Sequence, residues 1–292
     1  MKANEQQSEK SSYIPGEGIL RVSKSSFMTM MLCPRQFWWR YVSGLPRPPA
    51  TEAMLRGTAI HEVFSEGLLK GPEVLMDAAK DEGVEDDPSI DSLLSLIHQI
   101  ADHFDGLDVV ESEVKHEVHE LWAIPNDDEG HDMIEIVWVG MIDGILRHPN
   151  GGLILVELKT GNMNMGKLSR TRKELAFYLR MLSKLGYGEV THFLYITPDY
   201  EINASGTTDK LLLEGTKRGK QIWLGEGTGL AIMEPVSIRS INALEKSLST
   251  TIASLVSQEW EMNWNDYFCP QWCDFSASCE AELKGLGPEM FQ

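Results

Sequence analysis

The chain has 292 residues and a mass of 32.8 kDa, and its 26 Lys and Arg stand against 44 Asp and Glu, for a formal charge of −18 and a pI near 4.8. A hydrophobic content of 42% is enough for a sizeable core, which excludes disordered, collagen-like and coiled-coil chains. No apolar run approaches the roughly 20 residues of a membrane span, and the first twenty residues lack the apolar centre of a signal peptide, so a cytoplasmic protein with no membrane partner is expected. In that reducing compartment four cysteines suggest metal ligation before disulfides.

The charge is segregated. Residues 81–135 hold 18 acids and a single base, Lys115, while the rest of the chain is close to neutral. Residues 21–56 and 159–184 are basic, so a local polyanion site remains compatible with an acidic total.

In chain order, residues 1–18 are polar and rich in Gly and Pro and read as a disordered tail, with one domain over 19–292. Ser23 to Ser26 offer N-caps for an apolar helix, FMTMMLCPRQFWWRYV, that ends at Gly44 and the Pro46, Pro48, Pro49 cluster. A second helix spans about Thr51 to Leu69, and acid-rich helices follow to about Phe104, interrupted by the loop DEGVEDDP. Val109–Ile124 and Met133–Leu146 are expected as strands around the acidic turn NDDEGHD. A tight turn at HPNGG leads to LILVELK, whose continuous apolar run fits a strand buried on both faces. Ser169–Leu185 reads as a helix, THFLYIT as a strand, residues 209–224 as a hairpin, and Val236 to about Trp260 as a long helix before a cysteine-bearing tail.

The segment GMIDGILRHPNGGLILVELKTG carries the chemistry. With a turn near Asn150, Asp143 and Glu157 become approximate cross-strand neighbours. Glu157 and Lys159 share a face with Leu153 and Leu155, while Ile154, Val156 and Leu158 face the other layer. Two carboxylates and an ammonium so converge at one end of an apolar sheet, where burial demands pairing or a metal. Two readings fit: a solvent-reaching ion pair, or Mg2+ or Mn2+ held by hard oxygen ligands beside a lysine, which is equipment for phosphodiester hydrolysis. Upstream, RGTAIHE places Gly57 one helical turn before His61, permitting close approach of another chain, and an imidazole ligand would favour Mn2+. Glu111 and Glu113 share a strand face near this place and read as solvated carboxylates, one of them available to a second metal. His116 and His119 face opposite ways and make no metal pair. No GxxxxGK[ST] loop is present.

Gly57 to His61, Asp143, Glu157-Leu158-Lys159 and the helix after them together resemble the PD-(D/E)XK nuclease superfamily, in particular its RecB-like branch and the CRISPR-associated exonucleases, over about Ser23 to Cys279. The resemblance implies a restriction-endonuclease-like α/β fold, a mixed central sheet flanked by helices. It makes His61, Asp143, Glu157 and the Leu158 carbonyl the metal ligands, with Lys159 the catalytic lysine. The family's Gln-x-x-x-Tyr helix motif falls at Glu174 and Tyr178, where Glu lacks the amide donor; with Arg172 and Lys173 these residues would position DNA. Ile142 stands where the family nominally has proline. The implied activity is exonuclease action on single-stranded DNA ends, in company with a CRISPR integrase or a recombination helicase. A catalytically silent DNA-binding or scaffolding subunit is the alternative.

Cys33 lies in the first helix and Cys269, Cys273 and Cys279 lie in FCPQWCDFSASC. Four thiolates can hold Zn2+ or an iron-sulfur cluster, but one distant cysteine plus a compact trio is not the two-pair spacing of zinc fingers. The pattern resembles the [4Fe-4S] staple of some RecB-like nucleases, which implies an iron-sulfur lobe built from about residues 23–45 and 260–282. Joining Cys33 to Cys269 closes a loop of 236 residues, an effect of up to about 5 kcal/mol in chain-entropy terms. Trp38, Trp39, Tyr41, Trp260, Trp264, Tyr267, Phe268 and Trp272 crowd the same segments and read as the apolar shell of the cluster.

Overall fold

The computed structural model describes residues 19–43, 45, 49–125, 131–201 and 209–285. The expected tail over 1–18 lies outside them, as do Gly44, Pro46, Arg47, Pro48 and most of the acidic turn. The elements run β1 (Ile19–Ser23), α1 (Lys24–Leu32), α2 (Pro34–Phe37), a π-helical turn (Trp38–Val42), α3 (Glu52–Lys70), a 3-10 turn (Pro72–Val74), α4 (Leu75–Asp81), α5 (Pro88–Phe104), β2 (Val109–Glu111), β3 (Val114–Pro125), β4 (His131–Ile142), β5 (Gly144–Arg147) and β6 (Leu153–Leu158). They continue with α6 (Met165–Lys184), β7 (Val190–Thr197), α7 (Lys210–Gly215), β8 (Gln221–Leu224), β9 (Leu230–Pro235), α8 (Ile238–Val256), α9 (Phe268–Trp272) and α10 (Ser276–Leu283). The chain divides into two compact units, one drawn from Met1–Pro49, Glu117–Gly140 and Ala243–Gln292, the other from Ala50–His116 and Met141–Asn242.

The second unit is a six-stranded mixed sheet in the order β2-β5-β6-β7-β9-β8. β6 and β7 are parallel, with α6 as their crossover, and the other pairs are antiparallel. All of β6 is buried, as its apolar run requires. One face of the sheet (Leu146, Ile154, Val156, Leu158, Leu194, Ile196) packs against Ile60, Val63, Phe64 and Leu68 of α3 and the apolar stripe of α5. α6 packs along β6 and β7, presenting buried Leu175, Tyr178 and Leu182. The result is the mixed α/β architecture expected, a sheet flanked by helices. α3 starts at Thr51, whose hydroxyl accepts from the Met54 N–H; α5 starts at Asp87, with Pro88 in the first helical position.

The first unit contains a three-stranded sheet, β1-β4-β3, in which β1 runs parallel to β4 from Ile19↔Glu135 to Ser23↔Val139. Phe27, Met28 and Met30 of α1 are buried, in keeping with a helix-core role for that Met-rich stretch. Phe37 stacks on Trp260 at 5.8 Å.

Three expectations are corrected. The single aromatic helix is interrupted at Cys33, because Pro34 cannot continue a helix and drives the residue before it into an extended conformation; Cys33 closes α1 and caps α2. The hairpin expected over 209–224 is instead α7, capped by Asp209, followed by a β8–β9 hairpin. The two long strands are each broken, Val109–Ile124 at Ser112 and Glu113, and Met133–Leu146 at Asp143. Both breaks carry candidate site residues.

Candidate active site

The β5–β6 register pairs Gly144 with Val156 and Arg147 with Leu153. One further step sets Asp143 opposite Glu157, as the hairpin spacing requires. Asp143 Oδ2 accepts the Leu158 N–H at 2.7 Å, and the Asp143 carbonyl accepts the Ser112 hydroxyl at 2.9 Å. Ser112 also bonds the Ser65 hydroxyl of α3 at 2.9 Å. Ser65 is one turn beyond His61, just as Gly57 is one turn before it. This stripe of α3 is therefore stitched to the broken strand ends while the neighbouring Ile60, Phe64 and Leu68 stripe fills the core.

His61 Nδ1 lies 3.2 Å from Glu113 Oε1 and 3.6 Å from Asp143 Oδ1. Among the described residues, His61, Glu113 and Asp143 form a group able to hold a metal ion, each offering a ligand atom within 4.8 Å of the others. Glu113 owes its position to a left-handed backbone, φ 53°, between β2 and β3. A non-glycine residue held there is strained, a feature that collects at functional sites. The same break separates the two glutamates expected to share a face: Glu111 bonds His116 Nε2 at 2.8 Å and Tyr187, away from the metal-ligand group. His119 pairs with Glu135, so neither His116 nor His119 joins the site.

Glu157 is buried and bonds Lys159, whose Nζ also lies 2.8 Å from Glu174. Glu174 in turn reaches Arg170 at 3.3 Å. In place of an amide donor, this chain has a carboxylate that holds the lysine from the α6 side. Glu113, Asp143, Glu157 and Glu174 thus crowd one corner around few cations. Burial lowers the His61 pKa, but the Glu113 hydrogen bond and the charges of Asp143, Glu113 and Glu157 outweigh it and raise the value overall. An excess of acceptors that draws a proton onto imidazole is also a place for a divalent cation, and oxygen ligands with one imidazole suit Mg2+ and, better, Mn2+.

The expected DNA-positioning residues are placed differently from one another. Tyr178 is 2% exposed. Arg172 is committed to Glu214 at 2.8 Å and Glu234 at 2.6 Å, inside a network with Lys217, Lys220 and Tyr195. Lys173 is half-buried, and Lys167 and Arg170 are the exposed cations of the first part of α6. A further network joins residues far apart in the chain. Arg56 bonds both Asp87, the cap of α5, and Asp199 after β7, and Asp199 accepts the Gly161 N–H just past Lys159. Arg56 holds the Asp87 carboxyl down at about 2. These carboxylates fix the start of α3 against the strand ends that bear the site, and a Cβ on Gly57 would lie 3.0 Å from Thr160 Oγ1.

In the other unit, Cys33, Cys269, Cys273 and Cys279 are all free and together line a cavity of about 340 Å³ with Trp264 and Met262. The sulfurs are close enough to sense one another. Burial raises the Cys273 thiol, with further upward contributions from Cys269 and Cys33; burial also pushes Cys279 up to about 11, and Cys273 and Cys33 add to it. Of the aromatics expected around the cysteines, Trp38, Trp39 and Trp264 pack with Cys279 and Cys273, whereas Tyr267 and Trp272 are exposed and pack edge to face at 5.1 Å.

A sequence model of the PD-(D/E)XK nuclease superfamily matches residues 21–280. No curated relative matches in sequence. The solved structure of SSO0001 aligns over 92% of this chain and 89% of its own, at 16% identity and a TM-score of 0.37. No helix among the described residues is long and apolar enough to cross a membrane.

Proposed function

Because the chain belongs to the PD-(D/E)XK nuclease superfamily, we propose that it is a divalent-metal-dependent deoxyribonuclease, acting as an exonuclease on single-stranded DNA ends or overhangs. The observation that carries this reading is the meeting of His61, Glu113 and Asp143, from three separate segments, beside Glu157 and Lys159. His61, Glu113 and Asp143 would hold the cation, with Glu157 and the Leu158 carbonyl completing its ligands. When bound, that ion supplies positive charge to the phosphate oxygens and lowers the pKa of an attacking water. Lys159, half-exposed and steadied by Glu174, is aimed to hydrogen-bond the attacking water or a phosphate oxygen as negative charge develops. Lys167 and Arg170, exposed on the first part of α6, and half-buried Lys173 would hold backbone phosphates, so binding should weaken steeply with salt.

The cysteine cavity supports a [4Fe-4S] cluster as a second group. One distant cysteine and a compact trio, all lining one cavity, fit the resemblance to the iron-sulfur staple better than a two-pair zinc site. Its role would be to staple α1 and α2 to the C-terminal segment. The RecB-like resemblance extends the proposal to work beside a CRISPR integrase or a recombination helicase.

The test is digestion of end-labelled single- and double-stranded DNA with Mn2+, Mg2+ or EDTA, using the wild type, Glu157→Ala and Lys159→Ala. Metal-dependent shortening from one end, lost in EDTA and in both variants, is expected. Absence of metal-dependent cleavage would instead favour a silent DNA-binding or scaffolding subunit. Iron and acid-labile sulfide in anaerobically purified protein test the cluster separately, and a colourless protein with stoichiometric zinc would refute it.

A further inference from the structure

At the closed end of the β5–β6 hairpin, away from Asp143 and Glu157, a cavity of about 620 Å³ is lined by the hairpin turn, the end of α5 and the starts of β7 and β8. Three of its residues are histidines: His103, which is exposed, and the half-buried His148 and His192. His148 and His192 stack, with ring centroids 4.6 Å apart and planes 10° apart. Phe104 stands at 69° to His148, centroids 5.9 Å apart, and adds an aromatic wall. Hydrogen bonds to the chain fix what each stacked ring offers. The Asn150 N–H donates to His148 Nδ1 at 3.1 Å, so in the neutral ring the proton sits on Nε2. His192 is the reverse case. The Thr191 hydroxyl donates to the Leu153 carbonyl at 3.3 Å and therefore accepts from His192 Nδ1, 3.0 Å away, which leaves His192 Nε2 with a lone pair. Burial, and then the neighbouring His148, lower the His192 pKa and favour that neutral form. With both Nδ1 atoms tied to the chain, the stacked pair offers the cavity one imidazole N–H beside one imidazole lone pair.

That pairing selects the occupant. A metal ion lies in the plane of every imidazole that holds it, and two stacked rings share no such point. A phosphate needs donors or positive charge, but His192 presents an acceptor, and Lys220, the lysine of the lining, is committed to Glu214 and Glu234. What matches is a neutral, flat ligand with a donor and an acceptor side by side on one edge. We propose that this cavity binds a nucleobase, with a base acceptor taking the His148 Nε2–H, a base N–H donating to His192 Nε2, and the ring in contact with Phe104. All four DNA bases carry such an edge and a π-face, so the site is tolerant of sequence. Its volume lies within the range of small-molecule pockets and exceeds what a single amide side chain would fill. The base belongs either to a free nucleoside or to a DNA strand, and the two sources share this edge chemistry.

The experiment titrates the full chain, without added divalent metal, by calorimetry with thymidine and with a short oligothymidine, each in the presence and absence of inorganic phosphate. His192→Phe and His148→Phe keep a ring in the stack and lose the lone pair and the N–H respectively. Thymidine binding that phosphate does not displace, and that each variant weakens about fivefold, is the result expected for a free ligand. Binding of the oligonucleotide alone, weakened to the same extent by each variant, assigns the site to a base within a strand. No binding of either probe, displacement by phosphate, or affinities unchanged in both variants overturns the proposal. A second measurement does not depend on the variants binding. In 15N-histidine wild-type protein at neutral pH, two-dimensional NMR should show His148 protonated at Nε2 and His192 at Nδ1, and the same tautomer on both rings refutes the donor–acceptor pair. Neither refutation touches the nuclease reading, which stands on metal-dependent digestion at the other end of the hairpin.

Discussion

Replacing Glu113 with Gln tests the metal-ligand group at the residue sequence periodicity was least able to single out. The side chain keeps its shape, and Gln is no worse than Glu in the left-handed backbone that Glu113 occupies, so the fold should be unchanged. What disappears is one negative charge beside Asp143 and His61. A divalent ion about 3 Å from a unit charge gains about 11 kcal/mol at an effective dielectric of 20, most of it offset by dehydration of the carboxylate and the ion. A net loss of about 2–3 kcal/mol follows, which is about 30- to 150-fold in affinity. Calorimetric titration of the wild type and Glu113→Gln with Mn2+ measures it directly, with DNA cleavage at fixed Mn2+ as a second readout. Glu111→Gln is the internal control: only two residues away, it bonds His116 and Tyr187 and should leave Mn2+ binding unchanged. If Glu113→Gln binds Mn2+ as tightly as the wild type while Glu111→Gln loses affinity, the assignment of the ligands is wrong.

Glu174→Ala removes one of the two carboxylates holding Lys159, so cleavage should fall about tenfold with Mn2+ affinity unchanged, and in a Lys159→Ala background the same change should add little; full additivity in the double variant would show that Glu174 does not act through the lysine. Gly57→Val places branched methyl groups where even a Cβ sits 3.0 Å from Thr160 Oγ1, next to Lys159. A loss of about 1–3 kcal/mol in urea unfolding is expected together with impaired cleavage, and a fully stable, fully active variant would remove the close approach from the account. Glu214 predicts an acid limb: burial pushes its pKa up, but Lys217, Lys220 and Arg172 overcome this and hold it at about 2. A depressed folded value gives stability that is complete above the unfolded value near 4.5 and is lost as pH falls through about 2, worth up to about 3 kcal/mol. Glu214→Gln should therefore lose stability at pH 7 and show a shallower decline between pH 4.5 and 2, and an unchanged pH profile counts against the network.

The β5–β6 hairpin was legible because its determinants are local. A tight turn fixes the register, every β6 side chain is buried, and a strand's period of two then assigns Glu157 and Lys159 to one face without any knowledge of the rest of the chain. Glu113 was hidden for the opposite reason. Its place beside His61 and Asp143 depends on leaving the strand pattern, and alternation counted through a left-handed residue assigns it the same face as Glu111, which the structure gives to a different network. Arg172 and Tyr178 show a second limit, because helical spacing places residues on a face but does not say what lies opposite. The acids that claim Arg172 come from α7 and β9, 42 and 62 residues further along. β1 was missed as well, since its partner in parallel pairing is more than a hundred residues away. At the cysteines the spacing suggested ligands for a metal or cluster, and the fold brings all four to the lining of one cavity. Sequence thus locates chemistry best where one turn or one strand generates it. Where loops separated by long stretches of chain must each bring a single atom, the residues can be read only once the fold has assembled them.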